Sequence, residues 1–310
     1  MDARSDFEQR VILITGASGF TGSHACRYFA GQGLQVAAMV RHIREEDQAE
    51  GVRYYACDLL DKNGLEKLVG IIAPDYVLHL AGKNSVPESW AEPLLYMESN
   101  VLPTLYLLNA LRRYPSCRIL ITGSMLVFPL HPPFRPPHPY GLSKSLQKAA
   151  ALSWRELFGQ AIVLAEPSNL VGPGPSRGFC SLLGQHISAW ERGEAAEAFR
   201  IPSRFIRRDF LDVRDAIRAY WVLLERGLPG EIYSVRSGKE YTLGEITDLY
   251  KEISEKPFPI EWGEGENSSQ KSPKNTAPRM KGLGWEPSIP LRTSLTDVLE
   301  YFRTCGGDYK

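Results

Sequence analysis

The sequence predicts an α/β fold, a doubly wound parallel sheet with a smaller lobe contributed by the C-terminal part of the chain. Three features predict it. Aliphatic runs alternate with stretches of helical periodicity, the pattern left by parallel strands with helices on their faces. The first run, "VILIT" from residue 11, passes directly into a turn carrying Gly16, Gly19 and Gly22. From about residue 167 the texture changes to a Pro- and Gly-rich stretch, "PSNLVGPGPSRG", followed by shorter elements.

Strands are expected at "VILIT" (11), "QVAAMV" (35), "VRYYA" (52), "YVLHLA" (76), "CRILITG" (117) and "AIVLA" (161). The first is apolar throughout, as a strand buried on both faces must be. A helix follows it, marked by the apolar spacing from Phe20 through Ala25 to Phe29. Helical periodicity also runs over 65–72, 94–114 and 142–158, and "LTDVLEYFR" reads as a last amphipathic helix. The division falls near residue 166, with 1–166 forming the sheet domain and 167–310 the smaller lobe, interleaved at the boundary. The segment "WGEGENSSQKSPKNTAP" is polar and expected to be mobile, and no internal repeat is visible.

Glycine at a strand-to-helix junction leaves the backbone N–H groups and the positive end of the helix bare, which is what a phosphate needs to approach. The spacing here is Gly-x-x-Gly-x-x-Gly behind Thr15, not Gly-x-Gly-x-x-Gly. A plain tight connection would also use glycine, so the turn alone leaves both readings open.

Composition excludes several classes. Thirty-six basic residues balance 36 acidic ones, so no global field favours nucleic acid or an anionic membrane. No apolar run approaches the roughly 18 residues of a membrane span, and the opening "MDARSDFEQR" is polar. The expectation is a cytoplasmic protein, neither exported nor anchored. Cys26, Cys57, Cys117, Cys180 and Cys305 lack paired spacing, which fits reduced thiols better than a disulfide frame or a metal site.

Over residues 10–303 or so, a series of phrases resembles, in order, the extended short-chain dehydrogenases/reductases that act on nucleotide sugars. "TGASGFTG" resembles their phosphate-binding turn, with Gly16, Ser18, Gly19, Phe20 and Gly22 as cofactor contacts. "CDLLD" puts Asp58 and Leu59 where the family meets adenine, and "HLAG" puts Leu80, Ala81 and Gly82 beside the cofactor. Asn100 matches an asparagine of the next helix, "YGLSK" supplies Tyr140 and Lys144, and "PSNLVGPG", "RRDFLDVRD" and "LGWEP" follow. The resemblance implies a Rossmann-type domain and a dinucleotide pyrophosphate lying against the helix that begins near Phe20.

Tyr140 and Lys144 are four residues apart and share a helix face, and an ammonium beside a phenol is expected to lower the tyrosine pKa toward neutrality. Ser124, at the end of "RILITGS", resembles the serine that orients the substrate carbonyl or alcohol for hydride transfer, which makes Ser124, Tyr140 and Lys144 the expected catalytic trio. His79 reads as a packed core histidine, and His131 and His138 as loop residues. Asp209 and Asp215 are expected to pair with arginines of "RRDFLDVRD". Trp90, Trp154, Trp190 and Trp221 fall on helical stretches and suit a core or an interface.

The second strand ends "AMVRHIR" with no acidic residue, so Arg41, assisted by Arg44, favours the 2′-phosphate of NADP over NAD. Within the family the phrases "NSVPESW", "SNLVGPGPSRGF" and "RRDFLDVRDAIRAYWVLLERG" are most similar to reductases of GDP-linked 4-keto-6-deoxyhexoses, and dTDP-linked substrates stay open. That resemblance implies that Ser85 and Asn169 touch the sugar or its phosphates and that Arg208 neutralises the diphosphate. Departures from the family are Ser168, Asn275 before "LGW", and the short segment 125–139 between Ser124 and Tyr140. The resemblance also implies a homodimer built on helices 94–114 and 142–158. An NAD-dependent nucleotide-sugar 4-epimerase and a non-catalytic NADP-binding regulator are the alternative functions. No Asp or Glu occurs between Ser124 and Tyr140, where dehydratases of the family carry an acid, so a reductase is expected.

Overall fold

The computed structural model describes residues 9–44, 49–265 and 277–305. Residues 266–276 of the polar segment, Asn275 among them, lie outside the described residues, as do 1–8 of the N-terminus. Two compact units form, Met1–Glu166 with Tyr220–Tyr233, and Pro167–Ala219 with Ser234–Lys310.

The first unit runs β1 (Val11–Thr15), α1 (Phe20–Gly31), β2 (Gln35–Val40), β3 (Val52–Ala56), α2 (Lys62–Ile72), β4 (Tyr76–His79), α3 (Val86–Ala91), α4 (Pro93–Asn100), α5 (Leu102–Ala110), β5 (Arg118–Thr122), α6 (Pro139–Phe158) and β6 (Ala161–Pro167). The six expected strands all form, at the expected places. They lie in the order β10-β6-β5-β4-β1-β2-β3, with β10 (Ile232–Val235) returning from late in the chain to complete seven. β1 pairs in parallel with both β2 and β4, so the order reverses there, and the glycine turn follows the strand at that reversal. Crevices at such a point are where doubly wound sheets take ligands.

Alternate residues of the strands explain why the runs are apolar throughout. Leu13, Met39, Val77, Ile119, Ile121 and Leu164 meet Leu65 and Val69 of α2, Leu107 and Leu108 of α5 and Ala151 of α6 in one core. Their neighbours Ile12, Ile14, Val36, Leu78 and Leu120 are equally buried on the opposite face. There Trp221, on the part of α8 (Val213–Arg226) that belongs to this unit, stacks edge-on between Phe29 at 5.6 Å and Tyr76 at 5.2 Å.

The stretch 94–114 is not one helix. Pro103 lacks the N–H that would continue the ladder from α4, and the chain restarts as α5 after Val101. Glu92, before Pro93, is likewise pushed out of helical geometry, with φ −129° and ψ 63°.

The second unit contains β7 (Asn169–Val171), α7 (Phe179–Glu191), β8 (Phe199–Ile201), β9 (Arg207–Asp212), β11 (Glu240–Thr242), α9 (Leu243–Ile253), β12 (Ile260–Trp262), α10 (Ala277–Gly282) and α11 (Leu291–Thr304). Its strands pair as β11-β9-β7 and β12-β8. Leu183, Ile187, Phe210, Ile246, Tyr250, Leu295 and Val298 form its core. A capping box opens α9, Thr242 accepting from Glu245 N at 3.0 Å while the Glu245 carboxylate accepts from Thr242 N at 2.6 Å.

The acids of this unit are structural, though their partners differ from those expected. Asp209 pairs with Arg236 at 3.4 Å and accepts from Ser237 N and Gly238 N, while Asp215 binds Arg218 and the backbone N–H groups of Ser288 and Ile289. Both arginines lie outside "RRDFLDVRD", because the strands and helix termini that close on these carboxylates come from later in the chain. Among the described residues no helix is long and apolar enough to cross a membrane.

Candidate active site

The glycine turn is built as much by the protein's own packing as by the needs of a ligand. Gly16 has φ +69°, and a Cβ there would meet Ala81 N at 2.8 Å. A Cβ on Gly22 would lie 2.1 Å from Gly16 O, so α1 could not press against the turn. Gly19 is the N-cap of α1 and provides no side-chain cap, and the first turn carries no acidic residue. With Ser18 and Gly19 exposed, uncapped N–H groups of a twelve-residue helix face outward at the positive end of its dipole.

Two further loops flank this turn. Arg41 follows β2 directly and is exposed. Cys57 N donates to Val40 O at 2.8 Å, which sets the loop of Asp58 and Leu59 beside the end of β2. The Asp58 carboxylate accepts from Leu60 N at 2.9 Å and shapes that loop. On the other side, Leu80 N donates to Thr15 O and Ala81 N to Thr15 Oγ1, both at 3.3 Å. Gly82 must be glycine, since a Cβ would stand 2.6 Å from Asn100 Oδ1.

The trio gathers where β5 ends and α6 begins. Ser124, two residues past β5, is buried and accepts from Leu126 N at 3.0 Å. Tyr140 is buried in the first turn of α6, and Lys144 is buried one turn later. Burial pushes the Tyr140 phenol above its ordinary pKa, and a hydrogen bond with Ser124 pulls in the other direction. This corrects the expectation of a phenol lowered by the lysine, because removal from water outweighs the neighbouring groups. Lys144 itself is pushed down to about 8 by burial. Its ammonium donates to Thr122 O at 3.0 Å and to Gln147 Oε1 at 2.8 Å.

His138 is not a solvated loop residue. Its Nδ1 accepts from Gly141 N at 2.8 Å as the N-cap of α6, and its ring stacks on Tyr140 at 5.9 Å. Burial lowers its pKa, as suits an acceptor nitrogen at a helix N-terminus. His131 is exposed. The short segment 125–139 is tied at its start to α6, for Ser145 Oγ accepts from Phe128 N at 3.0 Å.

Ser85 is engaged by the protein: its hydroxyl caps α3 by accepting from Glu88 N at 3.3 Å, and its N–H donates to Tyr96 OH at 3.0 Å. Tyr96 meets Tyr140 edge-on at 6.1 Å, which brings Ser85 into the trio's surroundings. Glu88 has both oxygens occupied, one by Lys83 Nζ at 2.7 Å and one by Tyr96 OH at 2.7 Å. The Tyr96 phenol is pushed up to about 12 by burial and by this carboxylate. In the second unit Asn169 Nδ2 donates to Asp209 O at 2.9 Å, which places it beside Arg208 on the neighbouring strand. Burial lowers the Arg208 pKa, opposed by Glu240.

Asn100 Nδ2 donates to Ser143 Oγ at 2.9 Å and Lys83 O at 3.1 Å, while its Oδ1 accepts from Lys83 N at 2.8 Å. Sequence reasoning missed Gln147 and Thr104. Gln147 was findable, since it lies three residues beyond Lys144 and therefore on the same face of α6. His79 is buried and neutral, lowered to about 3 by desolvation and by Lys144, in keeping with a core histidine.

Known proteins resemble this chain over nearly its whole length. The chain is 31% identical over 304 residues to GDP-6-deoxy-D-mannose reductase of Pseudomonas aeruginosa, covering 93% of this chain and 95% of that protein. It is 28% identical over 321 residues to dTDP-4-dehydro-6-deoxy-D-allose reductase of Streptomyces bikiniensis, covering 95% and 96%. The solved structure of RMD from Pseudomonas aeruginosa complexed with NADPH superposes with a TM-score of 0.81 at 29% identity, over 96% of this chain and all of that one. Residues 12–235, from the first strand to the last strand of the main sheet, match the NAD dependent epimerase/dehydratase family, and the chain belongs to that family, among the extended short-chain dehydrogenases/reductases.

Proposed function

We propose that the chain reduces the C4 ketone of a nucleoside-diphosphate 4-keto-6-deoxyhexose with NADPH, the GDP-linked sugar being favoured over the dTDP-linked one. The observation that carries this reading is the buried trio: Tyr140 bonded to Ser124 and followed one helical turn later by Lys144, beside a glycine turn. The two relatives named as reductases of 4-keto-6-deoxy sugar nucleotides support it.

The residues fit the cofactor. The uncapped N-terminus of α1 suits a pyrophosphate, and Arg41 at the end of β2, with no acidic residue on that strand, suits a 2′-phosphate. Bound NADPH would supply the hydride for C4. Ser124 orients the ketone oxygen by a hydrogen bond, and Tyr140 gives its phenolic proton to that oxygen as the carbonyl becomes an alcohol. Lys144 stabilises the phenolate left on Tyr140 until a proton returns. Dehydration would need an acid and a base besides. Segment 125–139 holds no carboxylate, and both oxygens of Glu88 are committed. In the second unit Asn169 and Arg208 would receive the diphosphate sugar.

Exposed Leu94 on α4, Leu102 on α5 and Leu146 and Leu157 on α6 are the surface on which two copies would pair, so we assign a homodimer. A reducing cytoplasm suits five cysteines that form no disulfide among the described residues.

The test is a panel of GDP- and dTDP-linked 4-keto-6-deoxyhexoses offered with NADPH or NADH, following loss of reduced cofactor. Preferential NADPH oxidation with the GDP-linked ketone supports the reading. Turnover with the dTDP sugar alone would move the substrate. Tightly retained NAD, with interconversion of parent sugars and no net oxidation, would replace a reductase by a 4-epimerase. Cofactor binding with no turnover on any sugar would point to a regulator.

A further inference from the structure

We propose that Gln147 is a positioning residue for the Lys144 ammonium, the first link of a buried polar chain that ties this amine to the glycine turn. The chain can be followed atom by atom. Lys144 Nζ donates to Gln147 Oε1 at 2.8 Å, and Gln147 Nε2 donates to Thr104 Oγ1 at 2.8 Å. The Thr104 hydroxyl donates to Asn100 O at 2.9 Å. His79 Nε2 lies 2.9 Å from the same hydroxyl oxygen, and His79 Nδ1 lies 2.7 Å from Thr15 Oγ1. Thr15 Oγ1 in turn accepts from Ala81 N, next to the backbone on which Gly16 rests.

Counting hydrogens leaves one consistent assignment. A threonine hydroxyl has one proton and two lone pairs. Thr104 commits its proton to Asn100 O, so both Gln147 and His79 must donate to it. His79 therefore carries its proton on Nε2, and Nδ1 accepts from the Thr15 hydroxyl. For Gln147 the amide orientation follows, with NH₂ toward Thr104 and the carbonyl oxygen toward Lys144. Turned the other way, it would set two donors against each other at Lys144 and two acceptors against each other at Thr104. Thr15, His79, Thr104 and Gln147 are each no more than 1% exposed, so no water can substitute for a missing partner.

The arrangement gives Lys144 an acceptor that cannot turn away. Two of the three ammonium hydrogens are directed into the protein, to Thr122 O and Gln147 Oε1, which orients the third toward the reacting side. The acceptor is neutral, so the ammonium is held without being paired to an anion. Few charges face it. His79 on β4 is held neutral, Tyr140 on α6 is protonated, and α4 and α5 present the neutral Asn100 and Thr104. Burial lowers the amine's pKa, and among the described residues Gln147 is the one side-chain acceptor, beside the backbone oxygen of Thr122, that supports its charged form.

This rests on the reductase reading, in which Lys144 supports Tyr140, and the test separates the two. The Lys144 side chain, labelled with ¹³C at Cε, is titrated by NMR in the folded wild-type protein, in Gln147→Met and in Gln147→Glu, and kcat/KM is measured against pH for each. Met keeps the length and removes the acceptor, so the Lys144 pKa falls below its value of about 8. Glu restores an acceptor and adds charge, raising that pKa by about one pH unit or more. The alkaline limb of kcat/KM moves with it, and in Gln147→Met kcat drops by about tenfold while KM for the sugar nucleotide is little changed. An unchanged Lys144 titration in Gln147→Met overturns the positioning role, and Gln147→Glu checks the same point with the opposite sign. A titration that moves while the rate profile stays fixed upholds the positioning of the amine and overturns the part given to Lys144 in the reaction.

Discussion

At Lys144 burial and chemistry oppose each other. Its folded pKa, about 8, is below the unfolded value of 10.5, so between those limits the unfolded chain binds more protons and stability rises with pH. Below about pH 8 the penalty for a buried ammonium is fully present. Lys144→Met should therefore cost almost all activity without destabilising the protein at neutral pH. A gain of up to about 3 kcal/mol from removing the charge is offset by about 1 kcal/mol for each acceptor left behind. Chemical denaturation at pH 7 and again near pH 10 checks this, and the variant's advantage should shrink at the higher pH. Arg41→Asp belongs to the same scale. Replacing attraction for a 2′-phosphate with repulsion should weaken NADPH binding by about ten- to hundredfold and spare NADH, as read by fluorescence titration. The Tyr-x-x-x-Lys spacing and the serine behind β5 were visible in the sequence because they are local. The acidity of Tyr140 was not, since it depends on how much protein closes over the phenol.

Elements were legible where pattern and punctuation agreed. The glycines announced the turn into α1, and at Gly22 packing alone already demands glycine, since a Cβ there would lie 2.1 Å from Gly16 O. Gly22→Ala should accordingly lower the melting temperature and disorder the turn even without cofactor, costing about 2–4 kcal/mol by overpacking against backbone. Helix α6 begins at Pro139, three residues before the periodic stretch, because its cap is His138 and not one of the small polar residues that usually mark a helix start. His138→Ala should cost about 1 kcal/mol of stability, and the loss should fade on acidification, since protonated Nδ1 can no longer accept from Gly141 N. The break at Pro103 was written in the sequence but masked by the apolar spacing on either side.

For the whole molecule, six of the seven strands of the main sheet could be read in order, and β10 could not. Four residues, "IYSV", carry too little pattern, and they enter the sheet only after the chain has built β7, β9 and α8. The order of the strands nevertheless places the reversal between β1 and β4, next to the glycine turn and the trio. Assembly is tested at this scale. Light scattering at micromolar concentration should give the mass of a dimer, and Leu146→Glu with Leu157→Glu should shift it toward a monomer. The central claim is that this fold delivers a hydride to C4 of a keto sugar nucleotide and that Tyr140 delivers the proton. The most direct measurement is reduction of GDP-4-keto-6-deoxymannose with NADPH deuterated at the transferred position, followed by NMR of the sugar, in the wild type and in folded Tyr140→Phe. One deuterium at C4 per NADPH oxidised, and at least a hundredfold loss of that transfer in Tyr140→Phe, is the expected result. Deuterium at another carbon, no label in the sugar, or full transfer without the phenol would contradict it.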